Sequence, residues 1–151
     1  MKCSAAAARR DASVSPSNCP ANTPAPKGEL GFPRDARLTR GDDLQTVIRE
    51  GKRIRTVHLD VRAVASPRAR SRVGIVVPKH QHSVVDRNRL KRRLRELART
   101  ELLPRIADAA SVDVVIRARH EAYGAAFAAL GADVRIVADR LAGAAETETK
   151  A

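Results

Sequence analysis

Aromatic side chains are almost missing from this chain: its 151 residues include two Phe, one Tyr and no Trp. Single-strand binders that stack bases build their platforms from aromatics, so recognition here is expected to rest on phosphates, shape and a shallow apolar surface. Cysteine is as scarce. Cys3 and Cys19 both fall near the N-terminus, where a disulfide would staple nothing and the spacing matches no metal site. No run of 18 apolar residues occurs, so no membrane span is expected. The opening Met-Lys-Cys-Ser-Ala-Ala-Ala-Ala-Arg-Arg holds an apolar stretch too short for a secretory signal, and the cytoplasm is the expected compartment. Catalytic constellations are lacking as well: no Ser–His–Asp order, paired carboxylate set or Gly-rich phosphate loop stands out. His80 and His82 could lie on one side of an extended segment, but zinc would need a third and fourth ligand and none is near. With His58 they read as surface residues within reach of RNA.

What the chain has in excess is positive charge. Its formal net charge is +12, and residues 33–142 carry 24 Arg or Lys against 13 Asp or Glu, a net +11. The charge therefore belongs to the part expected to fold, and a basic surface is presented in fixed geometry. Residues 1–32 are rich in Ala, Ser, Pro and Asn, with Pro16, Pro20, Pro24 and Pro26 close together; such a segment buries little and is expected to be disordered. Residues 143–151 read as a second tail. One domain spans 33–142.

Within it, Thr39-Arg-Gly-Asp42 has the Thr-x-x-acid form of a helix start. Leu44, Val47 and Ile48 give an apolar stripe stopped by Gly51, so a helix is predicted over 40–50. From Ile54 to Ala65 the period is two, with Val57, Leu59, Val61 and Ala63 facing one way and His58, Asp60 and Arg62 the other, as in one half-buried strand. Val73–Val77 is a second strand, closed by Pro78. After a basic helix and Pro104, Val112–Arg117 forms a third, with Val114, Val115 and Ile116 apolar on both faces. Phe127, Leu130, Val134, Val137 and Leu141 repeat at helical spacing over 125–142, and Tyr123 and Phe127 read as core. The order helix, strand, strand, helix, strand, helix predicts an α/β sandwich, a small mixed sheet covered by helices.

The segment between Asp86 and Arg99 is the most informative. It holds seven Arg or Lys and one Glu after Asp86, yet Leu90, Leu94 and Leu97 recur at i, i+4, i+7, the spacing of one buried stripe. At 100° per residue Lys91, Asn88, Arg95 and Arg99 fan over one flank and the crown, and Arg89 and Arg93 take the other flank. Arg87, Asn88 and Arg89 are expected in the first helical turn, where free backbone N–H groups and guanidinium forks meet phosphates. A helix anchored by leucines and basic elsewhere can grip more than one phosphate strand.

Arg72-Val-Gly-Ile-Val-Val-Pro-Lys79, a short loop, then Val84-Val85-Asp-Arg87-Asn88-Arg89-Leu-Lys91-Arg92-Arg-Leu-Arg95-Glu96 resembles the protein subunit of bacterial ribonuclease P. Phe32-Pro-Arg…Arg37-Leu…Asp43-Leu-Gln-x-Val-x-x-x-Gly51 upstream and Asp113-Val-Val-Ile-x-Ala-Arg119 downstream fit as well, so the resemblance covers residues 32–142. It implies a small basic protein that joins a large catalytic RNA to cut the 5′ leader from precursor tRNA. The RNA, with magnesium, performs the hydrolysis, and the protein itself contributes no catalytic residue and no metal site. It implies an α/β sandwich with a left-handed βαβ crossover carrying the Arg-Asn-Arg helix, where pattern alone would favour a right-handed one. Lys79, Arg87, Asn88, Arg89, Lys91, Arg92, Arg95 and Arg99 are then the RNA-binding residues. Leu44, Ile48 and Arg62, with Lys91 and Arg95, would form the leader cleft between sheet and first helix. The family commonly has Phe where this chain has Leu44 and Ile48, and Lys-Lys-Val-Gly where it has Lys79-His80-Gln81-His82.

Three other readings differ in partner. A general RNA- or ribosome-binding module without part in catalysis would show the same basic helix. A DNA-binding regulator would need a helix-turn partner ahead of it, and a strand stands there instead. Anionic-membrane binding would need an aromatic anchor on the apolar face, which offers three leucines. Protein oligomerisation is not required by any of these features.

Overall fold

The computed structural model describes residues 32–79, 81–107 and 111–149, with side chains to Ala144. The expectations for residues 1–31, including Cys3 and Cys19, and for His80 lie outside the described residues.

Eight elements follow in order: α1 (Gly41–Glu50), β1 (Lys52–Arg55), β2 (Leu59–Ala65), β3 (Arg72–Val76), α2 (Val84–Leu97), α3 (Leu103–Ala107), β4 (Val112–Ala118) and α4 (Phe127–Thr149). The strands form one mixed sheet in the order β1-β2-β4-β3. β4 sits inside it, antiparallel to β2 and parallel to β3, and both of its faces are covered. Val114 and Ile116 enter the larger core with Leu59, Val61 and Val73 from the sheet, Leu90, Leu94 and Leu97 from α2, and Leu130, Val134 and Val137 from α4. Val115 points the other way, onto Leu38 and Val47 beneath α1. The continuous apolar run of β4 is what a strand buried on both faces requires.

The single strand expected over 54–65 is two strands. They pair as a hairpin, Ile54 opposite Val61 and Arg55 opposite Asp60, around Thr56, Val57 and His58. Val57 is therefore at the bend and exposed, while Leu59, Val61 and Ala63 are buried as expected. His58 does not simply face outward. Its backbone N–H and its Nδ1 both meet Asp133 Oδ2 of α4, at 3.0 and 2.8 Å, which ties the bend to that helix.

Helix boundaries also differ. The N-cap of α1 is Arg40 with no side-chain cap, and Asp42 and Asp43 in the first turn supply negative charge at the positive end of the dipole. Gly51 ends the helix at φ −67°, without a left-handed turn; glycine is needed because a Cβ there would collide with the Val47 carbonyl oxygen and lie 3.1 Å from the Ala63 nitrogen. α2 does not stop before Pro104. It passes through a widened π turn, Ala98–Leu102, into α3, and the wider turn accommodates a residue that has no N–H to donate. α4 continues to Thr149, through residues expected to be tail; beyond Leu141 the sequence is mostly Ala and Glu, which favour helix without a packed face. Phe127 is half-exposed because it is the first residue of α4, off the end of the buried stripe.

Candidate nucleic-acid interface

α2 starts earlier than the charge pattern suggests. Ser83 caps it, accepting from the Asp86 amide at 3.1 Å and donating to Asp86 Oδ2 at 2.6 Å, a reciprocal Ser-x-x-acid cap. The Arg87 amide consequently donates to the Ser83 carbonyl at 3.1 Å. Arg87, Asn88 and Arg89 thus present side chains, not free backbone amides, and this corrects the expectation of a first-turn amide site. Arg87 is also drawn partly inward, its Nε buried without a partner.

Burial of Leu90, Leu94 and Leu97 fixes how the helix is rotated, and the two flanks separate as the helical angles require. Lys91 and Arg95 line a 210 Å³ cavity at the β3 edge with Leu44 of α1, Ile75 of β3, Phe32 and Arg37. Arg89 and Arg93 line a different cavity with His82 and Tyr123. Asn88 and Arg92 are exposed on the crown beside Val85. Val84 and Val85 are exposed too, an apolar lip at the start of the basic surface. Lys79 is exposed just past β3. Arg99 lies in the π turn and pairs with Glu96 through its Nε and terminal nitrogen, so its charge is partly neutralised within the protein.

The expected cleft residues divide into two adjacent groups. Leu44 joins Lys91 and Arg95, as above. Ile48 sits further along α1, and from β2 the Arg62 guanidinium donates to its carbonyl near the negative end of the helix dipole. Around them the open face of the sheet is basic. Arg53 stands opposite Arg62, and Asp60 stands between Arg55 and Arg117 in the strand register. Like charges directly across a strand pair are destabilising, and Asp60 is the one acid among these four arginines. Arg53 binds it through two 2.8 Å hydrogen bonds, and that bond, more than the surrounding positive charge, holds the Asp60 carboxyl below the usual range. Sequence reasoning missed Arg53, Arg55 and Arg117. Arg53 and Arg55 alternate with Ile54 in β1, and that alternation was the available signal; Arg117 follows the apolar run of β4 and gave none.

A buried clasp positions α1 over this face. Arg72, 6% exposed, donates from Nε and a terminal nitrogen to Asp113 at 2.9 and 2.5 Å, and from its other terminal nitrogen to Asp43 at 2.9 Å. β3, β4 and α1 meet at this one side chain, and the Asp113 bond raises the Arg72 pKa further. Elsewhere Arg105 pairs with Asp139, Arg119 with Glu121, and Arg135 with Glu101. None of the six cations from Arg87 to Arg95 forms an ion pair among the described residues. No ion pair within the described residues offsets the charge of this face.

The family model for Ribonuclease P matches residues 32–142. The chain belongs to the ribonuclease P protein family. It is 41% identical over 70 residues to the ribonuclease P protein component of Syntrophobacter fumaroxidans, a match covering 46% of this chain and 59% of that relative. It is 35% identical over 123 residues to the ribonuclease P protein component of Acidothermus cellulolyticus, covering 79% of this chain and 94% of the other. The RNase P protein structure from Staphylococcus aureus superposes with a TM-score of 0.59 at 21% identity, over 68% of this chain and 91% of that one, a likeness of fold. In this ribonuclease P family member the strand-loop-helix motif falls on β3 and α2. No helix among the described residues is long and apolar enough to cross a membrane.

Proposed function

We propose that this chain is the protein subunit of a ribonuclease P ribonucleoprotein, binding the catalytic RNA and the 5′ leader of precursor tRNA and assisting removal of the leader. The observation that carries the reading is α2: six cations without an ion pair among the described residues, on a helix whose rotation is locked by three buried leucines, in a chain of this family. Arg89, Arg92 and Asn88, with Lys79 and the outer part of Arg87, are assigned to the catalytic RNA. Lys91 and Arg95 share a cavity with Leu44, which supports their assignment to the leader, and the basic sheet face carrying Arg62 continues that path.

Phosphate contacts of this kind position an RNA without reading its bases, which suits a subunit that meets many precursor sequences. Hydrolysis belongs to the RNA in this reading. Magnesium, in this reading, is held mainly by the RNA as well. The cytoplasm is the compartment proposed.

Reconstitution tests the reading. Adding the protein to its cognate ribonuclease P RNA should lower the magnesium needed to remove the leader from a precursor tRNA, and the protein alone should cleave nothing. Cleavage by RNA-free protein that survives nuclease controls would refute the division of labour. Equal activity of the RNA in dilute magnesium with and without the protein would refute the subunit role.

A further inference from the structure

Although aromatics are scarce, the fold gathers three rings at one place. His82 stacks on Tyr123 with ring centres 3.5 Å apart and planes at 15°, and His120 lies 5.0 Å from His82. Tyr123 Oη donates to the Pro78 carbonyl at 2.8 Å, which ties the stack to the end of β3. Burial raises the Tyr123 pKa, so the hydroxyl stays a donor at neutral pH. Two buried side-chain polar atoms lack a hydrogen-bond partner among the described residues, His82 Nε2 and Arg87 Nε. Both sit where the chain enters α2, and the charge of Arg87 acts on Tyr123. A buried N–H without an acceptor is costly. Just ahead of His82, Gln81 is held at φ 63°, a left-handed conformation that a non-glycine residue adopts only when its surroundings impose it.

Beside the stack lies a 360 Å³ cavity walled by His82, Tyr123 and Gly124 on one side and by Arg89 and Arg93 of α2 on the other. Asp86 also reaches it, but its carboxylate is engaged by Ser83. We propose that this cavity binds one nucleotide of the ribonuclease P RNA, the phosphate between Arg89 and Arg93 and the base against the His82–Tyr123 stack. The proposal rests on the function proposed above and adds to it a specific site. The volume falls in the range of small-ligand pockets. Arg89 and Arg93 are one helical turn apart, repel each other, and together offer the forked donors that suit a phosphodiester. A ring stack accepts any base by its π-face. The cavity lies on the opposite flank of α2 from Lys91 and Arg95, which assigns it to the catalytic RNA in preference to the leader.

Gly124 allows a clean test. Its φ of −87° suits any L residue, and a Cβ there would meet nothing within 4 Å, so Gly124→Leu fills the cavity without straining the backbone. The full-length protein, labelled at its histidines, is titrated with uridine 5′-monophosphate and separately with inorganic phosphate while the imidazole resonances are followed by NMR. Affinity for ribonuclease P RNA is measured across a salt series. The nucleotide should shift His82 and His120 saturably and more tightly than phosphate does. Gly124→Leu should abolish that shift and weaken RNA binding about tenfold at unchanged melting temperature, the scale of one lost base stack. His82→Ala should weaken RNA binding similarly without altering the salt slope, whereas Arg93→Ala should reduce the slope by about 0.7–0.9. Wild-type RNA affinity in both Gly124→Leu and His82→Ala would overturn the proposal, as would identical responses to nucleotide and phosphate. A wild-type protein that binds the nucleotide at His82 yet fails to bind ribonuclease P RNA would instead overturn the functional reading on which the site was placed.

Discussion

Removing the Asp113 carboxylate, in Asp113→Ala, puts the buried clasp to a quantitative test. Arg72 is 6% exposed and Asp113 3%, so the substitution leaves a guanidinium in the core having lost two of its three hydrogen bonds, those at 2.9 and 2.5 Å. Breaking a buried ion pair from one side costs about 3–5 kcal/mol. The surviving 2.9 Å bond to Asp43 retains part of the compensation and sets the expectation at about 3 kcal/mol. For a domain of this size that corresponds to a fall in Tm on the order of 10 °C. Urea unfolding followed by circular dichroism reads it as a lowered midpoint at unchanged m. Replacing both partners by apolar residues, Arg72→Met with Asp113→Leu, should recover most of the loss, since the penalty comes from the stranded charge and not from any large net worth of the pair. A loss below about 1 kcal/mol in Asp113→Ala, or a double variant as unstable as the single one, would refute the reasoning.

Three further outcomes are expected. Arg89→Ala should weaken assembly with the catalytic RNA by about 1–3 kcal/mol, while Lys91→Ala with Arg95→Ala should leave assembly largely intact and erase the preference for precursor over mature tRNA; equal assembly losses with unchanged discrimination would mean one undifferentiated basic surface. Gly51→Ala forces a Cβ against the backbone at Val47 and Ala63 and should cost about 1–3 kcal/mol in thermal or urea unfolding. Asp60 is held below its usual range chiefly by the Arg53 hydrogen bond, so the folded state gives up its charge at lower pH than the unfolded chain; its contribution is complete above about pH 4 and is lost as pH falls through the folded value. Asp60→Asn should flatten the decline of stability below about pH 4, and a decline as steep as the wild type's would contradict this.

Much of the fold was legible because its signals are local. The spacing of Leu90, Leu94 and Leu97 gave the buried stripe of α2, and the apolar run in β4 gave a strand covered on both faces. The missed hairpin had a signal in parity. Ile54 is buried together with Leu59 and Val61, yet it has the opposite parity, which no single strand can satisfy. The start of α2 was obscured by its charge: Ser83 and Asp86 form the cap, whereas the same motif at Thr39 and Asp42 caps nothing. Four-residue patterns such as this compete with tertiary packing, and packing decided both cases. The two flanks of the candidate site on α2 were legible because helical angle follows from sequence alone. The basic sheet face was not, because Arg53, Arg62 and Arg117 become neighbours only once strand order and register are known.

Charge placement differs between the helices of this domain. On α4 and around the π turn, Arg135 and Arg105 each meet an acid contributed by another element. Along α2, from Arg87 to Arg95, no acid intervenes, and the helix bears the mutual repulsion of six cations. Such a helix would unwind or rotate if its stability depended on its surface. It depends instead on three leucines that are at most 3% exposed, on the Ser83 cap, and on continuation through the π turn into α3. The apolar side of the helix therefore fixes the flank on which each cation stands. Ion pairs distributed evenly would have given a more stable protein with a weaker grip. On the function proposed above, a core-anchored helix whose cations form no ion pair among the described residues would accept lower intrinsic stability in exchange for pre-organised contact with RNA.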